Sequence, residues 1–389
     1  MGNGKMMSQD NPSPFNDLPA ALVDEVIRCS QGVGERLLAS FEQVRTGREK
    51  CREQLSAAGL LRRESDLENP HIPTSCGVDG SYAVERLLTT DLAATAAVAV
   101  EGLTPPSEKR FWPEPKHQVA IEAETHNDTT GTVLRGLMIT MELALATQAP
   151  HDLVFLDGSM TTPVIYLNQS LSRANAAYAP KFAEKLKKAT KAALAAYLTI
   201  LKSPRSDKCW VFCPKYTTNR EIGIEMEWPA SYDDRGMLTM LLDSGEFTDA
   251  RDLQEPESPW HINTSCVPES DRAEVKQLEE SVVAELKNVS VIYYKPTRWL
   301  PTLRLEVNRS VATNRSRLAC LLHGVKLQCG SASIMEPYPL YLADRMVKSL
   351  PRSIPAFRQV ATQSIAAFYT GSLDEVFYGM HGYRTESGG

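Results

Sequence analysis

The segment Leu153-Val154-Phe155-Leu156-Asp157-Gly158-Ser159 constrains the fold more than any other stretch of the chain. Four apolar residues rich in β-formers run into an acid, a glycine and a hydroxyl, the pattern of a buried strand ending in a turn that presents a carboxylate. Upstream, Cys76-Gly77-Val78-Asp79-Gly80-Ser81-Tyr82 repeats the arrangement. Two Asp-Gly-Ser turns are therefore expected at strand ends, about one βα excursion apart. Taken singly, each Asp-Gly is an ordinary turn dipeptide. Taken together, two carboxylates on neighbouring strands suit a hard divalent cation, magnesium or manganese, which prefers oxygen ligands.

A chain of 389 residues buries a large core, either as one elaborated α/β domain or as two structural units. Its 42% hydrophobic and 23% charged residues are those of an ordinary soluble globular protein. Residues 1–14 are polar and lack an apolar core of signal-peptide length, and no stretch approaches the roughly 18 uninterrupted apolar residues of a membrane helix. A cytoplasmic location with no membrane contact is the expectation. None of the eight cysteines forms a paired C-x-x-C ladder, so reduced thiols are expected rather than a zinc site. The net charge of −6 argues against broad electrostatic coating of nucleic acid. It is compatible with a nuclease, because acidic metal ligands add to the negative count.

Along the chain, residues 1–17 are expected to be disordered and 18–69 to form a helical arm for packing or dimerisation. Leu18, Leu22, Val26 and Ile27, then Leu37, Leu38, Phe41 and Val44, lie at helical spacing over 18–62, with a break near Gly32 and Gly34. Residues 70–350 read as the main domain. In Val119 to His126 acids alternate with apolar residues, so Glu122 and Glu124 are assigned to solvent. Val133 to Ala149 is the best helix, with Glu142 at the edge of its apolar stripe, where a carboxylate costs stability unless it is paired or ligates a cation. Glu142 precedes Asp157 by 15 residues (157 − 142), so helix and strand place both acids at one end of the sheet. The lysines 181, 185, 187, 188 and 191 form either a solvated face or a phosphate contact. Cys209 to Cys213 reads as a core strand leading into Lys215 and Tyr216. Residues 247–288 read as an insertion containing a helix, 289–294 and 303–307 as paired strands with Lys295, Arg298 and Arg304 nearby, and 310–326 as a helix. A further helix opens in Glu336-Pro337-Tyr338-Pro339-Leu340-Tyr341-Leu342-Ala343-Asp344, and 351–389 is a terminal helix and tail.

This order of segments resembles the NurA nuclease family: strand-Asp-Gly-Ser, helix-Glu, strand-Asp-Gly-Ser, strand-Lys, the Arg235-Gly236-Met237-Leu238 and Ser244-Gly245-Glu246 segment, and Tyr-Pro-Leu-x-Leu-Ala-Asp. The likeness spans roughly residues 70–350. It implies an α/β fold with a ribonuclease-H-like mixed sheet flanked by helices, an N-terminal helical arm and a C-terminal helical extension. It further implies a metal-dependent deoxyribonuclease, a homodimer, and a HerA-like hexameric ATPase partner in DNA end resection or phage defence. The family's metal-binding acids fall on Asp79, Glu142 and Asp157, and its later lysine or tyrosine on Lys215 or Tyr216. Where the family commonly has histidine, this chain has Asp344, and an aspartate also ligates manganese. Mn2+ or Mg2+ would then activate water and stabilise the departing oxygen, while Lys295, Arg298, Lys185 and Lys188 are candidate DNA-backbone contacts.

Two other readings compete. Phosphotransfer of the haloacid-dehalogenase type needs a second aspartate two residues after the first, and positions 81 and 159 are both serine. A catalytically degenerate, structural subunit of a translocase complex is separated from the nuclease by one feature, whether Asp79, Glu142 and Asp157 converge.

Overall fold

The computed structural model describes residues 18–388 apart from 69 and 176–178, so the disorder expected for 1–17 lies outside the described residues. The chain divides into residues 1–53 and 54–389. The described part of the first unit is helical, and helix α1 (Ala20–Ala57) runs unbroken through Gly32 and Gly34. A glycine costs a helix only about 1 kcal/mol relative to alanine, too little to interrupt one of 38 residues.

The second unit opens with β1 (Leu61–Arg63), β2 (Ser75–Leu87), β3 (Asp91–Glu101) and β4 (Lys116–Glu124). There follow α2 (Thr130–Gln148), β5 (Leu153–Asp157), α3 (Thr162–Ala174), α4 (Phe182–Lys202), β6 (Cys209–Cys213), α5 (Glu221–Glu225) and α6 (Asp234–Leu241). Next come β7 (Glu246–Thr248), β8 (Arg251–Asp252), α7 (Glu269–Glu285), β9 (Val289–Lys295) and β10 (Leu303–Asn308). The chain closes with α8 (Arg309–Thr313), α9 (Arg315–Gln328), α10 (Tyr338–Val347), α11 (Ser349–Phe368), α12 (Leu373–Gly379) and β11 (Gly382–Gly388). Residues 310–326 are thus two helices. Asn314 divides them, its side chain accepting a hydrogen bond from the Arg317 amide to start the second.

Among the described residues all eleven strands form one mixed sheet in the order β1-β7-β9-β10-β6-β5-β2-β3-β4, with β11 beside β2 and β8 beside β9. Strands β2, β5 and β6 are mutually parallel, whereas β2-β3-β4 is an antiparallel meander. That five-strand set is ribonuclease-H-like, and β10 and β9 extend it antiparallel beyond β6. The period of two sends alternate residues to opposite cores. Val154 and Leu156 join the core formed with α2, α3, α4 and α7, while Leu153 and Phe155 join the one formed with α8, α9 and α10.

Three expectations change. The 247–288 stretch supplies sheet strands in β7 and β8, and α7 buries Val275 and Val282 in the core against α4, so it belongs to the layered fold. Strands β1 and β11 bring residues outside 70–350 into the same sheet. Glu124 is buried rather than solvated, because its carboxylate accepts hydrogen bonds from the Lys181 and Phe182 amides at 2.8 and 2.9 Å and so covers the N-terminus of α4. Glu122 is half-buried and pairs with Lys185 at 2.6 Å. Among the described residues no helix is long and apolar enough to cross a membrane. Replacing Glu124 by alanine is expected to lower stability by about 1–2 kcal/mol, read as a shifted urea midpoint, with Glu122→Ala costing less because its partner is exposed.

Candidate metal centre at the ends of the parallel strands

The register of β2 on β5 builds the site. Val78 pairs with Leu156, so the next residues, Asp79 and Asp157, lie side by side and turn away from the α2 core toward the α10 face. Helix α10 approaches closely there because position 77 is glycine: a β-carbon at Gly77 would overlap the main chain of Pro339 and Leu340. Asp344 on α10 thereby meets the two strand acids. One carboxylate oxygen from each of Asp79, Asp157 and Asp344 lies within 4.8 Å of the others.

Only one of the two Asp-Gly-Ser segments is a turn. After Asp157 the chain turns at Gly158 with φ +78°, as expected. Asp79 lies inside β2, which stays paired with β3 through Gly80 and Ser81 to Arg86. Here the glycine leaves space instead of making a turn. A β-carbon at Gly80 would overlap the Glu142 carboxylate and Met138, which arrive from α2. Glu142 thus lines the same cavity of about 390 Å³ as Asp79, Asp157, Lys215, Tyr216 and Asp344, without joining the group of three closest oxygens.

Crowding shows in the protonation equilibria. Burial and the neighbouring Asp157 push Asp79 up to about 8, against the pull of Lys215 and the Gly80 amide. Burial, then Asp79 and Asp157, hold Glu142 well above the usual carboxylate range. Lys215 follows β6 and pairs with Asp157, Glu336 and Asp344 at 3.1, 3.2 and 3.3 Å. Burial opposes its charge, but the three acids outweigh burial and raise its pKa. Burial of Asp344 is outweighed by Lys348 and Lys215, which lower its pKa. Acids that are costly to ionise together and offer converging oxygens fit a divalent cation, which would restore their charged forms.

The Asp157 turn is held from β10. Buried Glu306 accepts hydrogen bonds at 2.7 Å from both the Ser159 hydroxyl and the Met160 amide. Its other oxygen accepts from Arg304, which forks onto Glu221 with two bonds of 2.7 Å.

No family model and no curated protein matches this sequence. Solved structures do match. The NurA nuclease from Sulfolobus solfataricus aligns with a TM-score of 0.58 at 12% identity, over 91% of this chain and 100% of that one. A NurA structure with manganese aligns with a TM-score of 0.51 at 13% identity, over 88% of this chain and 99% of that one. The chain has the NurA fold.

On this NurA-like framework Asp79, Glu142, Asp157, Lys215, Tyr216 and Asp344 surround one cavity, and Asp344 stands among the acids. The Tyr216 side chain is 94% exposed, between that cavity and a second of about 850 Å³ that reaches to Asn219 and Thr239. The four basic candidates line neither. Lys295 donates to the Thr239 carbonyl, Lys185 pairs with Glu122, and Lys188 and Arg298 are exposed. Sequence reading missed Glu336, Glu306 and Lys348. Glu336 carried a signal, an acid opening the same proline-marked segment as Asp344. Glu306 carried none, because Leu303-Arg304-Leu305-Glu306-Val307 alternates like a half-exposed strand.

The raised pKa of Asp79 sets a sign for stability. Its folded-state value lies above its unfolded one, so in EDTA the folded protein binds the extra proton and loses stability as pH rises from about 4 toward 8. Asp79→Asn is expected to flatten that part of the pH profile and to stabilise the ion-free protein at pH 8 by about 1–3 kcal/mol, as measured by denaturant titration.

Proposed function

We propose that this chain is a divalent-metal-dependent deoxyribonuclease of the NurA type, hydrolysing DNA phosphodiester bonds. The observation that carries the reading is the convergence of Asp79, Asp157 and Asp344, with Glu142 lining the same cavity, where the parallel pairing of β2 with β5 ends in a NurA fold. Asp79, Asp157 and Asp344 would hold the cation and Glu142 would complete its surroundings. When bound, Mn2+ or Mg2+ supplies an acidified water and neutralises the phosphodiester charge.

The protein's own groups take the remaining roles. Lys215, kept charged by its three acids, contacts a non-bridging phosphate oxygen and opposes the charge that develops there. Lys348, exposed and 2.7 Å from Asp344, adds positive charge at the cavity rim. Tyr216 offers an exposed ring on which a base or sugar of the substrate strand packs. Lys185, Lys188, Lys295 and Arg298 line neither cavity, and they contact the DNA backbone without reading sequence. The reading extends to a homodimer acting with a HerA-like hexameric ATPase in end resection or phage defence, in the cytoplasm.

The test is cleavage of end-labelled linear DNA by the full chain, alone and with its translocase, in Mn2+, Mg2+ or EDTA. Metal-dependent degradation is expected, lost in EDTA and reduced on the order of 10²-fold or more by Asp157→Ala. A folded, partner-bound protein that cuts no DNA under any of these conditions would instead be the structural subunit.

A further inference from the structure

Lys215 and a divalent cation draw on the same carboxylates. The ammonium lies 3.1 Å from Asp157 and 3.3 Å from Asp344, two of the three acids whose oxygens converge. Two cations a few ångströms apart repel strongly in a half-buried site, so an ion taking Asp157 and Asp344 must loosen the lysine from both. Glu336 is the third carboxylate on Lys215, at 3.2 Å, and it is not one of the converging three. Its nearer oxygen, Oε2, is buried and has no hydrogen bond of good geometry, so its environment is completed by the lysine charge. Glu336 precedes Pro337 at the entry to α10, on the same short segment as Asp344.

We propose that Glu336 is a positioning residue: it retains the Lys215 ammonium beside the centre when a divalent cation takes Asp157 and Asp344. The inference rests on the metal-dependent reading above. With Glu336 present, ion binding costs the lysine two of its three carboxylates and leaves it paired. Without Glu336 the lysine loses both remaining partners, stays partly desolvated, and competes harder for the oxygens the ion needs. Glu336 therefore favours ion binding through Lys215, beyond the plain attraction of its own charge.

A double-mutant cycle separates these contributions. Mn2+ binding, with Ca2+ as a second probe, is measured by calorimetry on the full chain for the unaltered protein, Glu336→Gln, Lys215→Met and the double variant. Lys215→Met is expected to tighten Mn2+ binding. Glu336→Gln is expected to weaken it about tenfold with Lys215 present, and no more than about threefold in the Lys215→Met background. Equal losses in the two backgrounds would overturn the proposal, since Glu336 would then act as a ligand or by its charge alone. Unaltered protein that binds Mn2+ normally while Glu336→Gln has no effect overturns it too, leaving the nuclease reading intact. Failure of the unaltered protein to bind either ion overturns both.

Discussion

Repulsion among carboxylates gathered at one point of the sheet is the constraint around which the rest of the structure is arranged. Parallel pairing of β2 with β5 places Asp79 beside Asp157, and two glycines on β2 admit a further acid from each face. Gly77 lets α10 bring Asp344, and Gly80 makes room for Glu142. Such a cluster opposes folding unless its charges are neutralised. Protonation is one outlet, visible in the elevated Asp79 and Glu142. Lys215 is another, and a bound cation would be the third. Stability and cation binding would thus be coupled at the same carboxylates.

A second charged assembly keeps that arrangement in place. Arg304 and Glu306 sit on β10, next to β6, and their chain of hydrogen bonds runs from Glu221 to the Ser159-Met160 turn. Every member has a partner, as an ion pair so deeply buried requires. The antiparallel extension of the sheet through β10 therefore does more than enlarge the core: it anchors the turn that follows Asp157. The cavity of about 850 Å³ opens beside this turn, so the same residues shape the approach to the acids.

Elements whose periodicity reflects burial on one or both faces were legible in the chain. The runs at Leu153–Asp157 and Cys209–Cys213 are strands, and the Leu134–Leu145 stripe is a helix that carries Glu142 to the strand acids. Patterns that record only alternation misled. Glu124 alternates like a solvent-facing acid, yet it covers the start of α4, a helix about 60 residues later in the chain. Glu306 alternates in the same way and is fully buried. The two Asp-Gly-Ser segments look equivalent, but β3 pairs alongside the first and keeps it extended, whereas the second has no such neighbour beyond Asp157.

By itself, then, the sequence determined the strands and helices with a strong apolar period, β2, β5, β6 and α2 among them, and which acids they carry, because hydrophobic period and local turn chemistry act over a few residues. The tertiary structure decided which acids meet. Asp344 and Glu336 reach the strand acids only through the approach of α10 to Gly77, and Glu306 reaches the Asp157 turn only through the pairing of β10 with β6. Contacts between residues more than a hundred positions apart depend on strand order and register. These are set by packing the whole sheet between its two helical layers and leave no periodic trace in the chain.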